Sequence, residues 1–105
     1  MIKRVWHGWT KPEKADSYEN LLRDEIFTGI ADRNIAGYDG IKLRRRDVPP
    51  YVEFMTIMTF NDLDAVKEFA GEDYELSVVP PNARKLLDHF DERAQHYDVR
   101  ADMFL

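Results

Sequence analysis

Two segments of the chain carry large apolar side chains at alternate positions of both parities, as a β-strand covered on two sides does. Residues 2–9, IKRVWHGW, are rich in β-branched and aromatic side chains. Because side chains alternate along a strand, Trp6 faces one way while His7 and Trp9 face the other. Residues 51–60, YVEFMTIMTF, repeat the pattern. Both segments are therefore predicted to be inner strands of one sheet.

Three segments show the spacing of amphipathic helices. The first, TKPEKADSYENLLRDEIFTGI, covers residues 10–30 and starts either at a capping box formed by Thr10 and Glu13 or one turn later. The second, NDLDAVKEFAG, covers residues 61–71, with an acidic or amide N-cap and a glycine at its end. The third, PPNARKLLDHF, covers residues 80–90 and is predicted to be a short helix.

Two further strands complete the predicted order. Residues 41–47, IKLRRRD, lead through Val48-Pro49-Pro50 into the segment 51–60, and residues 94–103, AQHYDVRADM, form the last strand. The order β-α-β-β-α-(α)-β predicts an α+β fold of the ferredoxin-like βαββαβ type, with a four-stranded antiparallel sheet and helices on one face. The other face keeps apolar groups, so we expect a second copy to cover it and form a homodimer through the sheet face.

Length, charge and cysteine content limit the possible partners. The 105 residues fit one domain spanning residues 1–105, and no apolar run is long enough to cross a membrane. The net charge of −5 argues against nucleic acid as a partner. The chain has no cysteine, and MIKRVWHGW lacks the apolar core of a signal peptide, so a cytoplasmic location is expected.

Three stretches of the chain resemble a known family. RVWHGWT, ADSYENLL and FAGEDYELSVVPPNARKLLDHFDERAQHYDV are similar to the antibiotic biosynthesis monooxygenase-like family of dimeric α/β barrels. The resemblance implies a dimeric α/β barrel, and a cofactor-independent monooxygenase or related enzyme that acts on a small aromatic or quinone-like molecule. The alternative within the same fold is a non-catalytic dimer that binds a small ligand or has a structural role.

The family pattern also bears on cofactors. Phe60 stands near the position of a tryptophan that family oxygenases often carry, and Phe69 or Ala70 stands where a helix histidine would be. The histidine that would ligate iron in the haem-degrading branch is thus absent. The three histidines of the chain also lack the spacing of a metal chelate, so neither a metal nor another cofactor is expected.

His7 is the candidate catalytic residue, because imidazole transfers protons near neutral pH and an oxygenase without cofactor needs a base. Trp6 and Trp9 are candidate substrate-binding residues of a cavity between sheet and helices. The competing interpretation makes the tryptophans core or dimer-interface residues and gives His7 a structural hydrogen bond. His96, on the last strand, is a further candidate for ligand binding, with a structural role as its alternative.

The segment EDYELSVVPPNAR, residues 72–84, is the longest loop-like stretch, and loops often carry binding residues. Tyr74, Asn82 and Arg84 are predicted to rim the cavity. The alternative is that this segment only turns the chain into the third helix. The run at residues 44–46, three arginines, is either a solvated edge strand or a clamp for an anion.

Overall fold

Five strands form one antiparallel sheet in the computed structural model, which describes residues 1–104. The strand order is β2-β3-β1-β4, and β5 also pairs with β1, so that β4 and β5 follow each other along the same edge. The strands are β1 (Ile2–Thr10), β2 (Tyr38–Val48), β3 (Tyr51–Phe60), β4 (His89–Phe90) and β5 (Gln95–Asp98). This order is compatible with the predicted ferredoxin-like arrangement, and the predicted α+β class is confirmed. The predicted number of four strands is wrong, because the short strand β4 adds a fifth.

The helical segments lie in the two connections that flank the β2–β3 pair. The helical elements are a 3₁₀ turn (Pro12–Lys14), α1 (Ala15–Leu21), a π-helical turn (Leu22–Ile26), α2 (Phe27–Asp32), α3 (Leu63–Ala70) and α4 (Pro81–Arg84). The first four run continuously from β1 towards β2. Helix α3 begins at a capped end, where the Asp62 carboxylate accepts a hydrogen bond from the Ala65 amide at 2.9 Å. None of the helices within residues 1–104 is long and apolar enough to cross a membrane.

The helices pack on one side of the sheet, which we call the helix face. Even-numbered residues of β1 and β3 point to this face, and those of β3 are all buried. Its core has two parts, one around Tyr18 and Phe54 and one around Phe60 and Val66. The rings of Tyr18 and Phe54 meet edge to face at 4.9 Å. Odd-numbered residues of β1 and β3 point to the opposite side, the open face.

Several element boundaries differ from the sequence predictions; strand β2, for example, begins at Tyr38 and not at residue 41. The helix predicted over residues 80–90 ends at Arg84, and His89 lies in β4 instead. The reason is edge pairing: the Asp88 amide donates to the Trp9 carbonyl at 2.8 Å, and the Asp91 amide donates to the His7 carbonyl at 2.9 Å. These bonds draw the chain onto β1 and satisfy backbone groups that a longer helix would have used.

The first helix and the last strand are also shorter or shifted. Of the two predicted starts of the first helix, the capping box at Thr10 is wrong, because Thr10 is the fully buried last residue of β1. The later start, at Asp16, is close to the observed one, since a 3₁₀ turn begins at Pro12 and α1 begins at Ala15. The last strand, predicted over residues 94–103, is limited to Gln95–Asp98, where it has β1 as a partner. Strands β2 and β3 are joined by only Pro49 and Pro50.

Candidate functional site

A cleft runs from the interior of the helix face to the surface. Its inner end is a cavity of about 60 Å³ that is lined by Trp6 of β1, Thr56 of β3 and Tyr18 of α1, among others. A groove of about 390 Å³ adjoins it at the surface. The cavity and the groove share five lining residues: Ile26, Ile30, Phe69, Val78 and Pro80. The shared wall makes them one continuous depression between the first helical region and the segment 78–80.

The π-helical turn shapes one wall of this cleft. The Phe27 amide bonds the Leu22 carbonyl, five residues back, where an α-helix would bond four residues back. This wider turn directs Leu22, Ile26, Phe27 and Ile30 towards the cleft. Gly29 lines the groove, and its missing side chain leaves open space there. Single π turns inside α-helices are frequent at functional sites.

Arg4 is the one cation among the residues that line the inner cavity. It lies on the helix face of β1 and is only 3% exposed. Its Nη1 donates to the Tyr74 carbonyl and lies 3.0 Å from His96 Nε2, while Nη2 donates to the Leu76 carbonyl at 3.2 Å. The guanidinium also lies over the ring of Phe69, 5.4 Å from its centroid.

The surroundings of Arg4 are polar but carry no compensating charge. Within the described part of the chain, no carboxylate lies within ion-pair distance of this guanidinium. Burial lowers the pKa of Arg4 to about 10, so the group stays charged at neutral pH. Burial, and next the nearby Arg4 charge, lower the pKa of His96, which favours a neutral imidazole that accepts at Nε2. Burial raises the pKa of Tyr18, which keeps this phenol protonated at the cavity wall.

Trp6 ties the cleft to the segment that closes it. Its indole N–H lies 2.9 Å from both the Ser77 hydroxyl and the Asp91 carbonyl oxygen. Its ring passes over Gly8, where a Cβ atom would come within 2.8 Å of the indole Cη2 and of a Leu87 methyl. The Trp-His-Gly-Trp motif therefore uses its glycine to make room for the first tryptophan.

His7 and Trp9 lie on the open face, across the sheet from the cleft. His7 Nδ1 pairs with Asp91 Oδ2 at 2.7 Å, and the two side chains are partly exposed. Trp9 stacks on His89, with ring centroids 4.6 Å apart and planes 5° from parallel. Tyr51 meets the same imidazole edge-on at 5.0 Å. Among residues 1–104, no group of three or more potential ligands is arranged to hold a metal ion.

The predicted site residues are thus divided between the two faces. Trp6 lines the inner cavity and Asn82 the groove. Tyr74 and His96 do not line the cleft but contact Arg4, which does. The centroids of their two rings are 5.3 Å apart. Arg84 lies outside the lining, exposed and over the ring of Phe90 at 5.4 Å.

The sequence interpretation missed Arg4 as a site residue, although a signal was present. Strand alternation puts Arg4 on the same face as Trp6 and Ile2, so an arginine was due to be buried among apolar groups. Buried arginines without an acidic partner are rare, and such a residue is a candidate for a functional site. Tyr18 gave no comparable signal, because a tyrosine on the apolar stripe of a helix is an ordinary core residue.

Comparison with known proteins does not assign this chain to a family. No protein-family model matches the chain, and no curated protein matches it significantly. The resemblance to the antibiotic biosynthesis monooxygenase-like family remains a prediction from the motifs.

Proposed function

We propose that this protein is a homodimeric small-molecule-binding domain of the dimeric α/β barrel type, and that its cleft takes a small, flat and mostly apolar ligand. The observation that supports the proposal is the cleft itself. Its walls are apolar apart from a few converging polar groups, which is the usual composition of a ligand site. A π turn lies in one wall of the cleft.

The dimensions set the pose of such a ligand. The inner cavity, at about 60 Å³, is smaller than the roughly 150 Å³ in which a benzene molecule fits. The groove outside it, at about 390 Å³, accommodates one or two rings. The ligand therefore places its ring system in the groove, between Ile30 and Pro80, and inserts a small substituent towards Trp6 and Arg4.

The open face supports the homodimer. Val5, Met55 and Ile57 are half-buried there, next to the stacked Trp9 and His89. The buried clusters that hold the helices lie on the helix face, so within residues 1–104 this apolar strip is left without a covering helix. A second copy packed sheet to sheet is the simplest cover for it. Sedimentation equilibrium at micromolar concentration should give twice the 12.4 kDa chain mass.

The geometry favours binding over the oxygenase reaction that the resemblance implies. Cofactor-independent oxygenation requires a base that removes a proton from the substrate. The titratable groups that line the inner cavity are Arg4 and Tyr18, and both stay protonated at neutral pH. The groove adds Glu25, an exposed carboxylate that does not line the inner cavity. The predicted base, His7, lies across the sheet. Oxygen uptake with 1,4-dihydroxynaphthalene, compared with its spontaneous oxidation, tests the enzymatic alternative.

The binding proposal is tested by blocking the groove. Isothermal titration with 2-naphthoate should give a Kd of about 1 mM or tighter, from roughly 0.3 kcal/mol per ligand heavy atom. Ile30→Trp fills the groove and should weaken binding at least about tenfold. Thr28→Trp is the matched control, because Thr28 lies on the same helix but outside the lining, and it should bind like the wild type. The proposal would be overturned if both variants bound 2-naphthoate with equal affinity, or if the wild type did not bind it.

A further inference from the structure

The inner end of the cleft carries a positive charge that the protein itself does not neutralise. Arg4 is held by two backbone carbonyls, one imidazole and one aromatic face, all of them uncharged. Two more exposed arginines have carboxylate partners: Arg45 pairs with Asp16 and Glu19, and Arg46 with Glu53. Both of these arginine side chains are partly or largely exposed. The most buried of these three arginines is the one that lacks a counter-ion.

The guanidinium is oriented but not saturated. Arginine has five N–H donors in a planar fork. Contacts to Tyr74, Leu76 and His96 engage three of them, on Nη1 and Nη2. Arg4 at the same time lines the inner cavity. Burying a charge is costly unless it is paired, so the protein maintains this arrangement at the expense of stability. An anion that enters from the cavity would supply the missing pair.

We propose that the ligand of this cleft is a small aromatic or otherwise apolar monocarboxylate, whose carboxylate seats on Arg4 while its ring lies in the groove. This inference rests on the proposed binding function. The planar guanidinium fork matches a carboxylate, and charge-assisted hydrogen bonds of this kind are stronger than neutral ones. A single cation in a cavity of about 60 Å³ suits one monoanionic group. A phosphate, with more charge and more oxygens, would need further donors.

His96 acts here as a positioning residue. Its Nε2 accepts from Arg4, and a neutral imidazole can do this without cancelling the positive charge, which an Asp or Glu would cancel. Its ring is held by the edge of Tyr74, and Glu75 is the carboxylate nearby that acts on it over a distance. The arrangement fixes the direction of the guanidinium and leaves its charge available to the ligand.

The test compares 2-naphthoate with 2-naphthalenemethanol, its uncharged counterpart, by isothermal titration at pH 7 and low salt. The wild type should bind the acid about tenfold or more tightly than the alcohol, as charge-assisted hydrogen bonds predict. Arg4→Met should lose this preference while it keeps the affinity for the alcohol. Arg84→Met is the matched control, because Arg84 lines neither the cavity nor the groove, and it should keep the preference.

The outcomes separate this inference from the binding proposal. Equal affinity of the wild type for acid and alcohol would overturn the carboxylate inference and leave the binding function standing. A preference that survives in Arg4→Met, or disappears in Arg84→Met, would also overturn it. Binding of neither compound would overturn both proposals. The wild-type comparison needs no variant, so the inference stays testable even if Arg4→Met fails to fold.

Discussion

Trp6 and Trp9 lie on one strand and on opposite faces of the sheet, and their surroundings differ in kind. Trp6 bonds Ser77 and Asp91 through its indole N–H and forms a wall of the cleft. Trp9 makes no such anchor in residues 1–104 and lies flat on His89 at the open surface. The helix face surrounds its aromatic groups with the chain's own helices. On the open face, the rings of Trp9 and His89 have no covering helix in residues 1–104.

Arg4 also differs in its partners from the more exposed basic groups of both faces; on the helix face, Arg45 pairs with Asp16 and Glu19. On the open face, His7 lies against Asp91 and Arg46 against Glu53, so these two basic groups have an acidic partner. On the helix face, Arg4 is buried with neutral partners only. Exposed ion pairs contribute little to stability, at most about 1 kcal/mol each. A buried charge without a counter-ion is therefore the costlier feature, and it supports the proposal that the ligand binds on the helix face.

The largest effect is expected from placing a charge on each face of β3. Met58 is 4% exposed on the helix face, and Ile57 beside it points to the open face. Met58→Lys buries an ammonium group among apolar side chains, at a cost of several kcal/mol, and should unfold the protein. Ile57→Lys should leave the monomer folded and break the dimer. Circular dichroism and sedimentation equilibrium measure both properties, and an Ile57→Lys protein that stays dimeric would contradict the role of the open face.

The two tryptophans offer the next comparison. Trp6→Ala removes a ring from the core and two hydrogen bonds, and should lower the free energy of unfolding by roughly 3–5 kcal/mol. Trp9→Ala removes only a stack at the open face, so its effect on an isolated monomer should be clearly smaller. Urea unfolding in the Ile57→Lys background, which removes the contribution of dimerisation, makes the two values comparable. Similar losses would mean that Trp9 is also a core residue of the monomer.

Alanine substitutions at two glycines of the cleft region should change stability in opposite directions. Gly8→Ala puts a methyl group 2.8 Å from the Trp6 ring, and should destabilise the fold by about 1–3 kcal/mol through overpacking. Gly29→Ala meets nothing within 4 Å, and as a helical position it should stabilise the fold by about 0.5–1 kcal/mol. Thermal unfolding at one protein concentration compares them. A Gly8→Ala variant as stable as the wild type would show that the Trp6 ring can move aside.

Which of these features the sequence could predict depended on the range of the interactions. Strand alternation is local, and it correctly separated Trp6 from Trp9 and paired the even residues of 51–60 on one face. His89 lies in a strand because it pairs with β1, about eighty residues earlier in the chain. No local sequence pattern shows such pairing. The π turn had no recognisable sequence signal either. The candidate site was therefore only partly predictable: Trp6 and Asn82 were named, while Arg4 was assigned to a face and passed over.

The smallest effect concerns pH and His96. Burial and the Arg4 charge lower the pKa of His96 in the folded protein, so the unfolded chain takes up this proton at a higher pH. The corresponding stability is fully present above the ordinary value of 6.5 and is lost as the pH falls below it. His96→Gln should reduce the loss of melting temperature between pH 7.5 and 5.5. His89→Gln is the matched control on the open face, and an unchanged pH dependence in His96→Gln would contradict the assignment.

The central proposal is that the ligand binds on the helix face and the second copy on the open face. It is tested most directly by the indole N–H signals of the two tryptophans in one ¹⁵N–¹H correlation spectrum. Trp6→Phe and Trp9→Phe assign the two signals. Titration with 2-naphthoate should shift the Trp6 signal and leave that of Trp9 in place, whereas Ile57→Lys should shift the Trp9 signal and leave that of Trp6. A ligand that moves only the Trp9 signal would place the binding site on the open face and contradict the assignment of the cleft.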